Sequence, residues 1–364
     1  MHQGTELYGS DRSFLAAVDA FCKSEKVDVV LPAEGELTKE LIDIDSVRLF
    51  YYKKGVLRKR ELNRPFSFVF NLIFGFLFYI NLFRKYQVVY INTVVMFSAL
   101  LAAGIYRFTS KRIVCHVREI PTGFQLKVFR FVLKFSGAEL IFNSNATKQA
   151  FNLTGKVIYN GVHHASIDSL NGKHNGSDRL TFINLLMIGR INDWKGQFFL
   201  LQSLSELPSS IRKLIKVRIV GSPFEGYEFL VDELRKIIAE HELGEMISLL
   251  PFSSEPSEHY SWADYVVVAS TKPEPFGRVA IEAFSYGKPV IAAAHGGLIE
   301  VVNDGINGFL FRPNDKDELL SLIYRLLDVT PEKFEEMSSA ALDDFKRRFS
   351  IESYQENIRT FFKL

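Results

Sequence analysis

The run YVVVASTKPEPFGRVAIEAFSYGKPVIAAAHGGLIE, from Tyr265 to Glu300, constrains the fold more than any other part of the chain. It opens on a continuous apolar, β-branched stretch, Tyr265–Ala269, of the kind a strand buried on both faces requires. A turn rich in Thr, Lys and Pro follows, with a helix start at Pro275–Gly277 and a helical run through Ala283. Gly287-Lys288-Pro289 stops that helix, Val290–Ala294 reads as a second buried strand, and Gly296-Gly297 precedes another helix near Leu298. Strand, loop, helix, strand, Gly-rich loop, helix is the order of a parallel α/β sheet, in which ligands sit at the carboxyl ends of the strands.

The same alternation runs through the rest of the sequence. In the first half, Val27–Leu31, Val47–Tyr52, Val88–Asn92, Arg112–Val117, Ala138–Asn143 and Lys156–Tyr159 read as strands separated by helical stretches. A polar segment rich in Ser, Asn and Gly, 165–179, reads as a linker, after which Leu185–Gly189, Val217–Val220 and Ile247–Leu250 resume the pattern. At 364 residues the chain exceeds one comfortable core. The expected division is a first domain over 1–164, a second over 180–345, and a final amphipathic helix within 346–364. Only the opening breaks the rhythm. A polar loop, Gly4–Gly9, leads into a helix over Asp11–Phe21, and Met1–Gln3 alone could supply the strand that normally comes first. The expectation is a longer reading frame that supplies a short apolar strand upstream.

Charge is unevenly spread. Residues 1–180 carry 24 Lys and Arg against 15 Asp and Glu, and the remainder carries 20 against 27. The basic excess is densest between Val47 and Lys134, interleaved with Phe and Tyr, which suits an anionic membrane surface. No nucleic-acid recognition motif accompanies it, so no nucleic-acid partner is expected. Within this region Phe66–Phe83 is apolar except for Ser67, Asn71 and Asn81, with Lys53, Lys54, Arg58, Lys59, Arg60, Arg64, Arg84 and Lys85 flanking it. Three readings stay open: a core helix, a helix dipped into a membrane interface, and a membrane span. The two cysteines, Cys22 and Cys115, lack metal-ligand spacing and read as small core residues of a reduced, cytoplasmic protein.

Two carboxylates, Glu274 and Glu282, bracket the start of the central helix, where unpaired amides near Phe276, Gly277, Arg278 and Val279 would attract phosphate. Read along a helix, Glu282 lies two turns beyond Glu274, on roughly the same side and on the order of 12 Å away. Gly189-Arg190 at a strand end and Lys195-Gly196 at the next helix start place two cations where a diphosphate could lie. Gly9 and Ser10, opening the first helix, offer a further set of amide donors. His295, before the glycine pair, reads as a hydrogen-bonded loop histidine, and Arg118-Glu119 either face an acceptor or form a structural ion pair.

Taken in order, Gly189-Arg190…Lys195-Gly196, Glu274-Pro275-Phe276-Gly277…Glu282-Ala283 and Pro289-Val290…Gly296-Gly297…Glu300 resemble glycosyltransferase family 4 over most of residues 181–345. Tyr8-Gly9-Ser10-Asp11-Arg12, His116 and Tyr159-Asn160-Gly161-Val162 carry a looser likeness in the first half. The resemblance implies an α/β GT-B fold, two Rossmann-like doubly wound parallel-sheet domains facing a cleft, with the C-terminal helix crossing back to the first domain. It implies a retaining, metal-independent enzyme that needs no cofactor and takes a nucleotide-sugar donor. Arg190 and Lys195 would then neutralise the donor diphosphate, Glu274 contact the sugar, Glu282 the ribose, and His116 approach the transferred sugar. Gly9, Ser10, Gly189, Phe276, Gly277, Arg278, Gly296 and Gly297 would complete the donor site.

The expected acceptor is a saccharide, polyprenyl-linked, in surface polysaccharide or lipopolysaccharide synthesis, with the protein peripheral on the inner face of the cell membrane. Two alternatives stand beside this reading: a nucleotide-sugar epimerase on the same fold, and a non-catalytic saccharide-binding partner subunit.

Overall fold

The computed structural model describes residues 1–57, 65–165 and 182–364. The chain divides into two units, Met1–Gly161 with Ile351–Leu364, and Val162–Ser350. The segment read from sequence as a linker, 165–179, lies outside the described residues from 166 onward, as do Arg58, Lys59, Arg60 and Arg64.

In the first unit, α1 (Gly9–Cys22) leads to β1 (Val27–Leu31), then α2 (Glu36–Ile42) to β2 (Val47–Tyr51). β1 and β2 form a parallel pair, with Val27 opposite Val47 and Leu31 opposite Tyr51. After α3 (Pro65–Phe83), β3 (Val88–Asn92), β4 (Arg112–Val117), β5 (Glu139–Phe142) and β6 (Lys156–Val157) form a second parallel sheet in that order. The single sheet expected here is therefore two, because no ladder joins β1 to β3. The last helix, Ile351–Phe362, packs on α1 through Ala17, Ala20, Tyr354 and Ile358, all buried, with Phe362 edge-on to Phe21 at 4.9 Å.

α3 is apolar all round and only half accommodated. Tyr79 and Phe83 are fully buried, and the Tyr106 hydroxyl reaches back to donate to the Ile80 carbonyl at 2.6 Å. The opposite face, with Phe66, Val69, Phe70, Ile73, Phe74 and Leu77, is exposed, Phe66 to 90%. Its apolar window, Phe66–Phe83, is long and apolar enough to cross a membrane, and 17% of it is buried. A core helix alone thus describes one face and not the other.

The second unit holds one six-stranded parallel sheet, ordered β12-β11-β10-β7-β8-β9. Its strands are β7 (Ile183–Ile188), β8 (Ile215–Val220), β9 (Ile247–Leu250), β10 (Tyr265–Val268), β11 (Val290–Ala293) and β12 (Gly308–Phe311). β10 and β11 are buried along their whole length, as their uninterrupted apolar sequence requires. The chain winds outward from β7 to β9, then returns to lay β10 on β7's other side. That reversal is the topological switch point, where loops diverge and leave room for a ligand. A further helix, Pro331–Asp344, passes into a π-helical turn, Phe345–Phe349, so helical structure in this unit runs past the 345 boundary expected for it.

Candidate functional site

At the switch point the loop after β7 meets the loop after β10. The Asn192 carboxamide oxygen accepts from the amides of Trp194 and Lys195, folding the first loop so that Lys195 turns towards β10. The two loops are tied by the Thr271 amide, which donates to the Trp194 carbonyl at 2.8 Å. Gly196 makes the approach possible: at φ +92°, any Cβ there would lie 1.9 Å from the Ala269 carbonyl oxygen.

Lys195 and Glu274 are brought together as a result. The ammonium lies 2.6 Å from Glu274 Oε1, and the Ser270 hydroxyl donates to the same oxygen at 2.6 Å. Glu274 is 4% exposed, so this carboxylate carries its charge almost out of water with two donors in compensation. The loop after β11 closes on it as well. The Gly297 amide donates to the Glu274 carbonyl at 2.7 Å, and a Cβ on Gly296 would sit 2.2 Å from that oxygen. A small cavity of about 20 Å³ lies beside the cluster, lined by Gly189, Lys195, Ser270 and Val279 among others.

Gly277 caps the helix Arg278–Ser285 in the left-handed conformation. Glu274 therefore stands in the loop before the helix, and only the last part of the interval to Glu282 is helical. The reading of Glu274 and Glu282 as two positions along one helix is corrected: Gly277 starts the helix at Arg278, so the axial rise does not measure their separation. Glu282 is held by Arg278 Nε at 2.8 Å and the Tyr260 hydroxyl at 3.1 Å. Burial and the adjoining Glu282 push the Tyr260 phenol well above its usual range, so it stays a donor. The Arg190 guanidinium lies 3.8 Å over the Phe224 ring, and its carbonyl accepts from Gln197 Nε2. His295 is hydrogen-bonded to the Ser270 backbone, as expected of a loop histidine, while its Nε2 is buried without a hydrogen-bond partner.

The remaining candidates belong to the first unit. α1 begins at Gly9, and Asp11 draws its first turn together by accepting from the Tyr8 amide while bonding His2 Nε2 at 2.5 Å. His116, on β4, is fully buried. Its Nδ1 lies 2.8 Å from the Tyr90 hydroxyl and 3.2 Å from Arg118 Nη2. A guanidinium only donates, so Nδ1 accepts and the ring proton sits on Nε2, which is buried and unpartnered. Arg118 is itself buried, donating to Asn92, Asn160 and Tyr354 and joining β3 to the last helix. Glu119 accepts instead from the amides of Val94 and Arg118. Ser270, Asn192, Tyr260 and Phe224 were not singled out from sequence. None carries a motif: Tyr260 and Phe224 act on residues from other elements, and Asn192 and Ser270 act within their own loops through bonds with no sequence signature.

Burial, reinforced by Arg118, holds the His116 imidazole well below its usual range. Histidine in the unfolded chain titrates at about 6.5. Below that pH the unfolded chain takes up a proton that the fold refuses. The penalty is absent above about pH 6.5 and grows on acidification, by at most about 1.4 kcal/mol per pH unit for this residue. His2 is shifted in the same direction by burial, against the pull of Asp11. Urea unfolding at pH 7.5 and 5.5 should show a smaller loss in His116→Gln than in the parent, and equal losses would show that His116 titrates normally.

Residues 177–343 match the family model of glycosyl transferases group 1. The chain is 36% identical over 148 residues, 39% of either chain, to the lipopolysaccharide 1,2-N-acetylglucosaminetransferase of Salmonella typhimurium. To the D-inositol 3-phosphate glycosyltransferase of Thermomonospora curvata it is 32% identical over 163 residues, 43% of this chain and 37% of the relative. The matched stretch thus spans about two fifths of those curated relatives. Among solved structures, Anabaena HepE in complex with UDP-glucose superposes with a TM-score of 0.78 at 25% identity, covering 100% of this chain and 99% of that one. The lipopolysaccharide outer core galactosyltransferase WaaB gives a TM-score of 0.72 at 15% identity over 100% of both chains. The fold is that of the GT-B glycosyltransferases, built of α/β units with parallel sheets.

Proposed function

We propose that the chain is a retaining, metal-independent glycosyltransferase that moves a sugar from a nucleoside diphosphate sugar to a saccharide acceptor carried on a polyprenyl lipid. The Lys195–Glu274–Ser270 cluster at the switch point of the second unit carries this reading. Lys195 and Arg190 supply positive charge for the departing diphosphate, and the N-terminus of Arg278–Ser285 adds its dipole. Glu274 accepts from hydroxyls of the donor sugar, and Glu282, steadied by Arg278 and Tyr260, from those of the ribose. Neutral His116 offers its Nε2 proton to a hydroxyl of the transferred sugar.

In the reaction the bond from the anomeric carbon to the phosphate oxygen breaks, and the acceptor oxygen bonds to that carbon on the same face. The acceptor proton passes to the departing phosphate, so positioning and charge stabilisation carry the catalysis. UDP-sugars are the donors to test first, because HepE was solved with UDP-glucose. Incubation with a panel of UDP-sugars should release UDP, and proton NMR of the product should show the donor's anomeric configuration. Inverted product removes the retaining mechanism. Free epimerised donor in the absence of acceptor replaces transferase with epimerase.

The exposed face of α3 supports a membrane-borne acceptor and a place on the inner face of the cell membrane, in surface polysaccharide or lipopolysaccharide synthesis. Phe66 and Phe70 are 90% and 62% exposed, with Lys53, Lys54, Arg84 and Lys85 near the helix ends in sequence. Lys54 already lies over the Phe74 ring at 4.2 Å. Apolar side chains entering the acyl boundary under a basic rim describe an interfacial helix. Flotation with anionic vesicles should recover the protein, and Phe66→Ser with Phe70→Ser should weaken binding by about 10–100-fold. Binding that is absent, or untouched by the double change, removes the membrane surface from the reading.

A further inference from the structure

Phe224 is 49% exposed on the loop after β8, outside the apolar core of the second unit. The loop that carries it is nonetheless held in place. The Gly189 amide donates to the Val220 carbonyl at 2.9 Å, and the Ile191 amide to the Ser222 carbonyl at 3.1 Å. These bonds flank Arg190, whose own carbonyl accepts from Gln197 Nε2 at 3.1 Å. A Cβ on Gly221 would lie 1.9 Å from the Gly189 carbonyl oxygen, so the two segments meet backbone to backbone. From the other side the Ser222 hydroxyl accepts from the Phe252 amide at 3.1 Å, in the loop after β9. The Tyr227 amide then donates to the Phe224 carbonyl at 2.9 Å, closing a turn through Gly226 at φ +84°.

Arg190 is thus fixed at its backbone beside a ring that is fixed by its own turn. The guanidinium carbon lies 3.8 Å from the Phe224 ring centroid, within the reach of about 6 Å for a cation–π contact. Such a contact acts through the quadrupole of the ring and uses none of the N–H groups. The planar fork of donors is what a diphosphate needs, so a ring under the group restrains it without competing for them. Lys195, the other cation of the site, has similar support, with its ammonium 4.6 Å from the Trp194 ring.

We propose that Phe224 is a positioning residue for donor binding: its ring holds the Arg190 guanidinium in place for the diphosphate. Without the ring, a long and freely rotating side chain would have to be ordered each time a donor binds. That cost falls on affinity. The role rests on the reading of Arg190 as a diphosphate contact.

Calorimetric binding of UDP to the full chain tests it in a cycle of the parent, Phe224→Leu, Arg190→Ala and the double variant. Phe224→Leu should weaken UDP binding by about 2–5-fold, the size of one cation–π contact at a half-exposed site. Phe224→Tyr, which restores a π face, should bind UDP as the parent does. In the Arg190→Ala background the change to leucine should make no difference. Neither a folding defect nor direct contact between the ring and the nucleotide would give that result. Equal losses in both backgrounds overturn the role, as does a tyrosine variant no better than leucine. If Arg190→Ala weakens binding and Phe224→Leu does not, the role fails alone. If Arg190→Ala binds UDP as the parent does, or the parent binds none of UDP, GDP and ADP, the diphosphate reading of Arg190 fails and takes the role of Phe224 with it.

Discussion

Lys195→Ala is expected to lower kcat/KM for sugar transfer by about 10²–10³-fold, the usual cost of removing one preorganised group that meets developing charge. The ammonium is held 2.6 Å from Glu274 at the end of a loop that Asn192 and Gly196 fix in place, so it needs little reorganisation to meet a diphosphate. The same change takes the charged partner from Glu274, whose side chain is 5% exposed. Breaking a fully buried pair costs about 3–5 kcal/mol. Here Lys195 is 26% exposed and Ser270 still donates, so the loss of stability should fall below that range. Glu274→Gln separates the two effects. The carboxamide still accepts from Ser270 and Lys195 without the charge, so activity should fall while the thermal midpoint stays near the parent's. Steady-state kinetics beside thermal unfolding decides the matter: turnover within about threefold of the parent in either variant would remove that residue from the site.

Gly196→Ala should be the most damaging single methyl in the second unit, costing about 2–5 kcal/mol from left-handed strain together with overpacking. Its Cβ would fall 1.9 Å from the Ala269 carbonyl oxygen, a backbone atom that moves only if the loop after β10 moves with it. Gly226 supplies the control. It has φ +84° but nothing within 4 Å of a Cβ, so Gly226→Ala should show the strain alone, about 1–2 kcal/mol. Urea unfolding of the two variants measures the difference. Equal losses would mean that the close approach at Ala269 relaxes freely.

Much of the fold is legible because parallel strands buried on both faces leave unbroken apolar runs. Tyr265–Val268 and Val290–Ala293 are recovered to within one residue, and the less fully buried Val27–Leu31, Val88–Asn92 and Ile247–Leu250 have the same limits in the structure as in the sequence reading. What escaped has weak local signals. Glu36–Ile42 is a short helix rich in polar residues, and Ser257–Trp262 has neither a side-chain cap nor an apolar stripe. The break at Phe345 was hidden because Phe345 and Phe349, both fully buried, fit an ordinary helical period as well as the wider turn.

In the site, charges beside glycines were readable, since glycine at a strand end or helix start announces a close approach. Ser270 and Tyr260 were not. Tyr260 finds its partner on another helix and Ser270 four residues along its own loop, and serine or tyrosine near a strand suits many bland roles.

The chain leaves the first unit at Gly161 and re-enters it at Ile351. One unit is therefore inserted in sequence within the other, whose helix α1 is covered by residues that follow the insertion. Residues Val162–Ser350 are synthesised before Tyr354 exists to take the hydrogen bond from Arg118, or Phe362 to meet Phe21. The inner unit has its whole sequence available during synthesis. The discontinuous one waits for Ile351–Phe362 before Arg118 and Phe21 gain these partners, so it completes only after the inserted one has been synthesised.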